Sequence, residues 1–299
     1  MSRFSLNSLP SISSGTGSVA DIANFLPLAQ KGDAALIVID PATNESGLRA
    51  RIEELVLQAG FRAVTTVLPA GEPKESTVRE IVLTVRGEHP RAVICVGGGS
   101  AMDTGKLIGC LLNSQYDVSE YRLAKTPLKK RSCSIIGIPT TSGTGSEVTR
   151  TSILSNDDGN KYWFWSEFLC PDHILLDPSL TVGLPPLITA ATGMDALVHA
   201  IEASTNKNAF ALNNMYSNRA ITLVAKNLVL AVREPENLVA RSAMQEAALL
   251  AGIAIDNSGT CLAHAIGHVL GSLEGVAHGK AVTIGLCASL EWSISGQES

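Results

Sequence analysis

Residues 91–100 read RAVICVGGGS, an apolar, β-branched run that stops at three glycines and a serine. Arg91–Val96 has the composition of a buried strand. Glycines at the junction of a strand and a helix let a ligand approach the backbone. The first N–H groups of the helix have no partner within it and attract phosphate. The pattern is not the GxGxxG of the usual dinucleotide fold, and a tight turn would use the same glycines.

The sequence on either side repeats the alternation of strand and helix. AALIVID (Ala34–Asp40) reads as a buried strand and LRARIEELVLQAG (Leu48–Gly60) as an amphipathic helix ending on glycine. RAVTTVLP follows as a strand and STVREIVLTVR as a helix. SIIGIP (Ser134–Pro139) and HILLDP (His173–Pro178) read as further strands, the second of them the last. Such alternation predicts a mostly parallel sheet with helices on its faces. The character changes near Leu184-Pro185-Pro186. Beyond it, ITAATGMDALVHAIEAS, NNMYSNRAITLVAKNLVLAV, ENLVARSAMQEAALLAGIAI and TCLAHAIGHVLGSL all read as helices. The expected fold is an α/β N-terminal dinucleotide-binding domain with a parallel sheet over residues 1–183, then an all-α domain over 184–299.

Of the 299 residues, 45% are apolar and 17% charged, which suits a packed core rather than disorder. Net charge is −5, and Lys129-Lys130-Arg131 is the longest basic run, so nucleic acid is not an expected partner. The six cysteines are scattered without a CxxC pair, which suits a reducing, cytoplasmic setting. MSRFSLNSLPSISSGTGS lacks the apolar core of a signal peptide, and no run approaches the ~18 apolar residues of a membrane span.

A second loop, Thr140-Thr141-Ser142-Gly143-Thr144-Gly145-Ser146, also follows a strand and leads toward a helix-like segment. Its hydroxyls suit a nucleotide, and they suit a helix cap equally. Two such loops on neighbouring strands favour a ligand at that edge of the sheet. Asp40, at the end of its strand, suits hydrogen bonds from an adenosine ribose and would repel a 2′-phosphate, favouring NAD over NADP. An Asp before Pro41 is also an ordinary turn former.

Four of the six histidines, His199, His264, His268 and His278, fall in the helical part. Asp195 and His199 are four apart, as are His264 and His268, so each pair shares a helix face. Imidazoles in apolar helices need partners, and one carboxylate with three imidazoles suits Fe(II) or Zn(II). Spacing leaves open whether His264 or His268 is the ligand. The other would be free to carry protons.

GGGSAMDTGK (Gly97–Lys106), PTTSGTGSEVT (Pro139–Thr149), ILLDPSLTVGLPP (Ile174–Pro186), TGMDALVHAIEA (Thr192–Ala203) and HAIGHVLG with AHG (His264–Gly279) together resemble the iron-containing (group III) alcohol dehydrogenases. SSGTGSVADIANFL resembles that family's opening strand and turn less specifically. The resemblance implies a dehydroquinate synthase-like architecture, with the active site in a cleft between the two domains. It carries Asp195, His199, His264 and His278 over as metal ligands and leaves His268 near the nicotinamide as a proton relay. NAD is implied against Asp40, Gly97, Gly98, Gly99, Ser100, Asp103, Thr140, Thr141, Thr144 and Lys161. The implied enzyme is a homodimeric NAD-dependent alcohol dehydrogenase or aldehyde reductase for a small alcohol or aldehyde. It would use Fe(II), or Zn(II), as a Lewis acid.

Two departures qualify this. The family continues with several helices beyond its last ligand, whereas this chain stops at Ser299 and is expected to lack those walls of the substrate pocket. In GEPKES, Glu72 stands where the family often has Asn, so Glu72 is not an expected site residue. A glycerol dehydrogenase-like or dehydroquinate synthase-like enzyme, or a non-catalytic NAD-binding relative, are the alternatives.

Overall fold

The computed structural model describes residues 4–295, and its contacts divide the chain into two compact units. The sheet unit holds Pro10–Thr140 and Thr149–Asp177. The helical unit holds Thr141–Val148 and the chain from Pro178 onward, together with the residues before Pro10. The change in sequence character lies near 183; the contacts divide the chain at Asp177/Pro178, and the second loop belongs to the helical unit.

In the sheet unit, β1 (Ser11–Ser14), β2 (Ala34–Ile39), β3 (Arg62–Val67), β4 (Ala92–Gly97), β5 (Ser134–Pro139) and β8 (His173–Leu176) form one sheet. Its strand order is β1-β8-β5-β4-β2-β3, and every pairing is parallel. β2 and β4 are buried along their whole length, as apolar strands covered on both faces must be. The helices between them are α1 (Pro41–Glu45), α2 (Leu48–Gln58), α3 (Glu75–Val85) and α4 (Gly99–Leu111). Strand order reverses between β2 and β4, so their carboxyl ends form the topological switch point where such sheets bind ligands. β4 and β5, which carry the two loops singled out above, are neighbours, with Gly97 opposite Pro139.

The sequence reading missed an antiparallel hairpin, β6 (Thr151–Ser155) with β7 (Lys161–Trp165). Its turn, Asn156-Asp157-Asp158-Gly159-Asn160, was a legible signal. The segment after the second loop is not a helix but a single 3-10 turn, Ser146–Val148, that leads into this hairpin.

Asp172, just before β8, ties two strands together. Its Oδ2 accepts from Arg131 Nη1 (2.7 Å), Ile135 N (2.7 Å) and Ser134 Oγ (3.1 Å). Burial alone would raise the Asp172 carboxyl, but Arg131 and the Ile135 N–H outweigh it and hold it below its ordinary value. A depressed folded-state pKa contributes stability above the unfolded value of about 4 and loses it as pH falls through the folded value. Asp172→Asn is therefore expected to cost roughly 1–2 kcal/mol at neutral pH, an estimate reduced for the carboxylate's partial exposure. In urea titrations run at decreasing pH the variant and wild type should converge below about pH 4. A constant gap down to pH 2 would refute the assignment.

The helical unit comprises α5 (Pro186–Thr205), α6 (Ala211–Arg233), α7 (Leu238–Ser258), α8 (Leu262–Glu274) and α9 (His278–Ser295), with no strand among its described residues. α9 had no counterpart in the sequence reading. α7 corrects a second expectation: it is long and apolar enough to cross a membrane by length and composition. Counting unbroken apolar runs missed it because Arg241, Gln245 and Glu246 interrupt the sequence. Two-thirds of its apolar window (67%) is buried inside the protein, as in a core helix. Ala240, Met244, Ala247, Ala248 and Ala251 pack on α5 and α6.

Small residues let the backbone segments of this unit touch. Gly145 has φ +62°, and a Cβ there would stand 2.5 Å from Gly252 Cα and 2.7 Å from Ala248 O of α7. This seat is the physical reason that Thr141–Val148 groups with the helices.

Candidate functional site

The switch-point edge of the sheet unit gathers several of the expected nucleotide residues. Asp40 N donates to Val96 O (3.2 Å) and Thr140 N donates to Gly97 O (2.9 Å), which extends the ladder past the strand ends. Each oxygen of the Asp40 carboxylate accepts one local hydrogen bond. Oδ1 accepts from Thr43 N (2.7 Å), capping α1 ahead of Pro41, and Oδ2 accepts from Gly98 N (3.1 Å). Gly97 must be glycine: its φ is +145°, and a Cβ there would meet Asp40 Oδ2 at 2.2 Å. Asp40 thus braces the turn that presents Gly98, Gly99 and Ser100 at the start of α4. Thr140 Oγ1 lies 3.3 Å from Thr43 Oγ1.

Other expected contacts have local partners. Asp103 Oδ2 accepts from Ile153 N (3.1 Å), and its Oδ1 lies 3.3 Å from Lys106 Nζ. Lys106 is completely buried and also donates to Thr151 O (2.6 Å) and Thr149 Oγ1 (3.2 Å), pinning the hairpin to α4. Lys161 Nζ pairs with Glu72 Oε2 at 2.9 Å, so the residue not expected at the site holds one that was. In the helical unit, Thr144 Oγ1 accepts from Ser146 N (3.2 Å), and Thr141 is half-buried.

The helical unit brings the four expected ligands together. Asp195 Oδ1 lies 3.8 Å from His199 Nδ1, 3.5 Å from His264 Nε2 and 3.5 Å from His278 Nε2. Asp195, His199 and His264 are buried, and their ligand atoms all lie within 4.8 Å of one another. α5 supplies the first two one turn apart, α8 supplies His264, and the first residue of α9 is His278. Gly279 allows that approach, since a Cβ on it would stand 2.3 Å from Ala191 O of α5. The rings of His199 and His264 stack at 4.3 Å. His268 faces the same cluster from the next turn of α8, its ring 6.2 Å from that of His264 and 5.6 Å from that of His278.

The donor set fits a divalent ion. Asp195 Oδ1, His199 Nδ1 and His264 Nε2 are buried with no hydrogen-bond partner among the described residues, a costly arrangement for polar atoms without a cation. Four ligands about 2.1 Å from a tetrahedral metal stand roughly 3.4 Å apart, close to the observed spacings. Burial pushes the Asp195 carboxyl up, but His199, His278 and His264 reverse this and leave it below the ordinary carboxylate range. Burial pushes His199 down, against the pull of Asp195. Burial alone would lower His264, but Asp195 and Glu202 outweigh it and push it up to about 9, so a metal bound there would displace a proton from that ring.

The sequence reading overlooked Glu202, also on α5 and 1% exposed. Its Oε2 lies 2.6 Å from His264 Nδ1. Its position, seven after Asp195 and three after His199, places it on their helix face, which was the available signal.

Comparison with known proteins agrees with this geometry. The model of the family described as iron-containing alcohol dehydrogenase matches residues 10–178. The model of the Fe-containing alcohol dehydrogenase family, C-terminal, matches 189–298. Choline dehydrogenase of Bacillus subtilis (strain 168) is 34% identical over 265 residues, covering 88% of this chain and 66% of that protein. Sulfoacetaldehyde reductase of Bilophila wadsworthia (strain 3_1_6) is 34% identical over 273 residues, covering 90% and 69%. The crystal structure of sulfoacetaldehyde reductase from Bifidobacterium kashiwanohense in complex with NAD+ superposes with a TM-score of 0.86 at 30% identity, covering 94% of this chain and 74% of that one. The chain spans about two-thirds of the length of the curated relatives.

Proposed function

This chain belongs to the iron-containing alcohol dehydrogenase family, and on that membership we propose that it interconverts a small alcohol and its aldehyde with NAD and a divalent metal. The observation that carries the proposal is the convergence of three orphaned, buried ligand atoms, from Asp195, His199 and His264, with His278 beside them. These four residues are proposed to hold Fe(II), with Zn(II) suited by the same donor chemistry. When bound, the metal supplies Lewis acidity to the substrate oxygen and NAD+ supplies the hydride acceptor.

The protein's own residues bind and orient. Gly99 and Ser100 offer backbone N–H groups at the start of α4, where the helix dipole favours a pyrophosphate, and Gly98, its own N–H held by Asp40, is proposed to line the same edge. Asp40 puts an anion at the same edge, which disfavours a 2′-phosphate and supports NAD over NADP. Asp103 and Lys161 are proposed to act from the positions that Lys106 and Glu72 give them. His268 is proposed to take the alcohol's proton on its imidazole and pass it to water. We further propose a cytoplasmic homodimer. The six cysteines form no disulfide among the described residues, which supports a reducing compartment, and family membership supports the dimer.

The test is NADH absorbance followed against short aldehydes, using protein reloaded anaerobically with Fe(II). Turnover that a chelator abolishes is the expected outcome, and full turnover by metal-free protein would overturn the proposal. Metal uptake without turnover would favour a non-catalytic NAD-binding relative.

A further inference from the structure

We infer that Glu202 is the positioning residue of the metal centre: from α5 it fixes the ring of His264 so that Nε2 is the nitrogen offered to the ion. The inference rests on the metal reading above and adds a group outside the ligand set.

Glu202 divides its two oxygens between two tasks. Oε1 accepts from Ala263 N (2.6 Å) and His264 N (3.3 Å), capping the first turn of α8. No side chain of α8's own supplies that cap. Oε2 meets His264 Nδ1 at 2.6 Å. A carboxylate can only accept, so Nδ1 must carry the proton in that contact. In a neutral imidazole the lone pair is then on Nε2, the atom that lies buried without a hydrogen-bond partner 3.5 Å from Asp195 Oδ1.

The same carboxylate sets the position of the backbone at Ala263 and His264 and the orientation of the ring. That double grip holds a ligand near an ion before the ion arrives. An anion at a helix N-terminus is also favoured by the dipole. The helices pack tightly at this point, since a Cβ on Gly285 of α9 would stand 2.4 Å from Ala263 O.

Glu202→Gln separates capping from ring orientation. A glutamine oxygen can still accept from Ala263 N, but the NH2 at the other end donates, so it drives the His264 proton onto Nε2 and blocks ligation. The experiment is titration of metal-free protein with Co(II), read by the visible ligand-field spectrum. The Gln variant is expected to bind about 10–100-fold more weakly than wild type, with an altered spectrum. Its metal-free melting temperature should fall as well, because the buried anion at the start of α8 is lost, so affinity and spectrum carry the test.

A measurement on wild type removes dependence on the variant's folding. In the Zn(II)-loaded protein, nitrogen-15 spectra should place zinc on Nε2 of His264 and a downfield, hydrogen-bonded proton on Nδ1. Wild-type Co(II) affinity and spectrum in Glu202→Gln, or zinc on Nδ1, would overturn the inference. Wild-type protein that takes up neither metal would instead overturn the metal reading on which it rests.

Discussion

Asp195→Asn is expected to empty the metal centre. Asp195 Oδ1 is the hub of the cluster, within 3.5–3.8 Å of a ring nitrogen on each of His199, His264 and His278. It is 2% exposed, so no water replaces what it supplies. Asparagine keeps the volume and removes the charge. It then presents either a neutral oxygen or an NH2 that competes with the ion for the imidazoles. Removing one partner of a buried charged set costs about 3–5 kcal/mol, equivalent to an affinity loss of roughly 10²–10³-fold or more. Metal content after gel filtration and aldehyde-dependent NADH oxidation should both fall to background. A variant that retains one equivalent of metal would refute the ligand assignment.

Gly279→Ala is expected to disturb the same centre through the backbone. The added methyl would stand 2.3 Å from Ala191 O and 2.7 Å from Ala191 C, and neither backbone atom can swing aside as a side-chain tip would. α9 must retreat from α5, and its first residue is His278. Overpacking of this kind costs about 1–3 kcal/mol and occasionally more. Urea unfolding should register that loss, and Co(II) affinity should drop with it. Gly183→Ala is the control, because a Cβ there meets nothing within 4 Å. It should lie within about 0.5 kcal/mol of wild type. Equal stability and metal affinity in the two variants would rule out the α5–α9 contact as the device that places His278.

Much of this was legible because it rests on periodicity and punctuation. Short uninterrupted β-branched runs such as Ala34–Ile39 and Ala92–Gly97, ended by Asp or Gly, suit central parallel strands buried on both faces. The i, i+4 spacing of Asp195 and His199 is a property of helix geometry itself. What escaped depends on pairings between distant residues. Nothing near Lys161 announces that it pairs with Glu72, and nothing near Asp40 announces that both its oxygens are engaged by Thr43 N and Gly98 N. α9 was hidden because Gly279 and Gly285, poor helix formers, are there for close approach to α5 and α8 rather than for propensity. Glu202 stood inside a quoted motif, but its task becomes visible only when α8 arrives from sixty residues downstream.

The seating of Gly145 against Gly252 has a consequence for recombination among relatives. The chain changes unit at residues 9/10, 140/141, 148/149 and 177/178. A single crossover near 178, where one matched family segment ends, therefore does not exchange intact modules. It would leave the recipient's helices facing a foreign Thr141–Val148, and any donor with a side chain larger than hydrogen at 145 or 252 would wedge the two apart. A chimaera that also carries Thr141–Val148 keeps the lock and its key from the same parent.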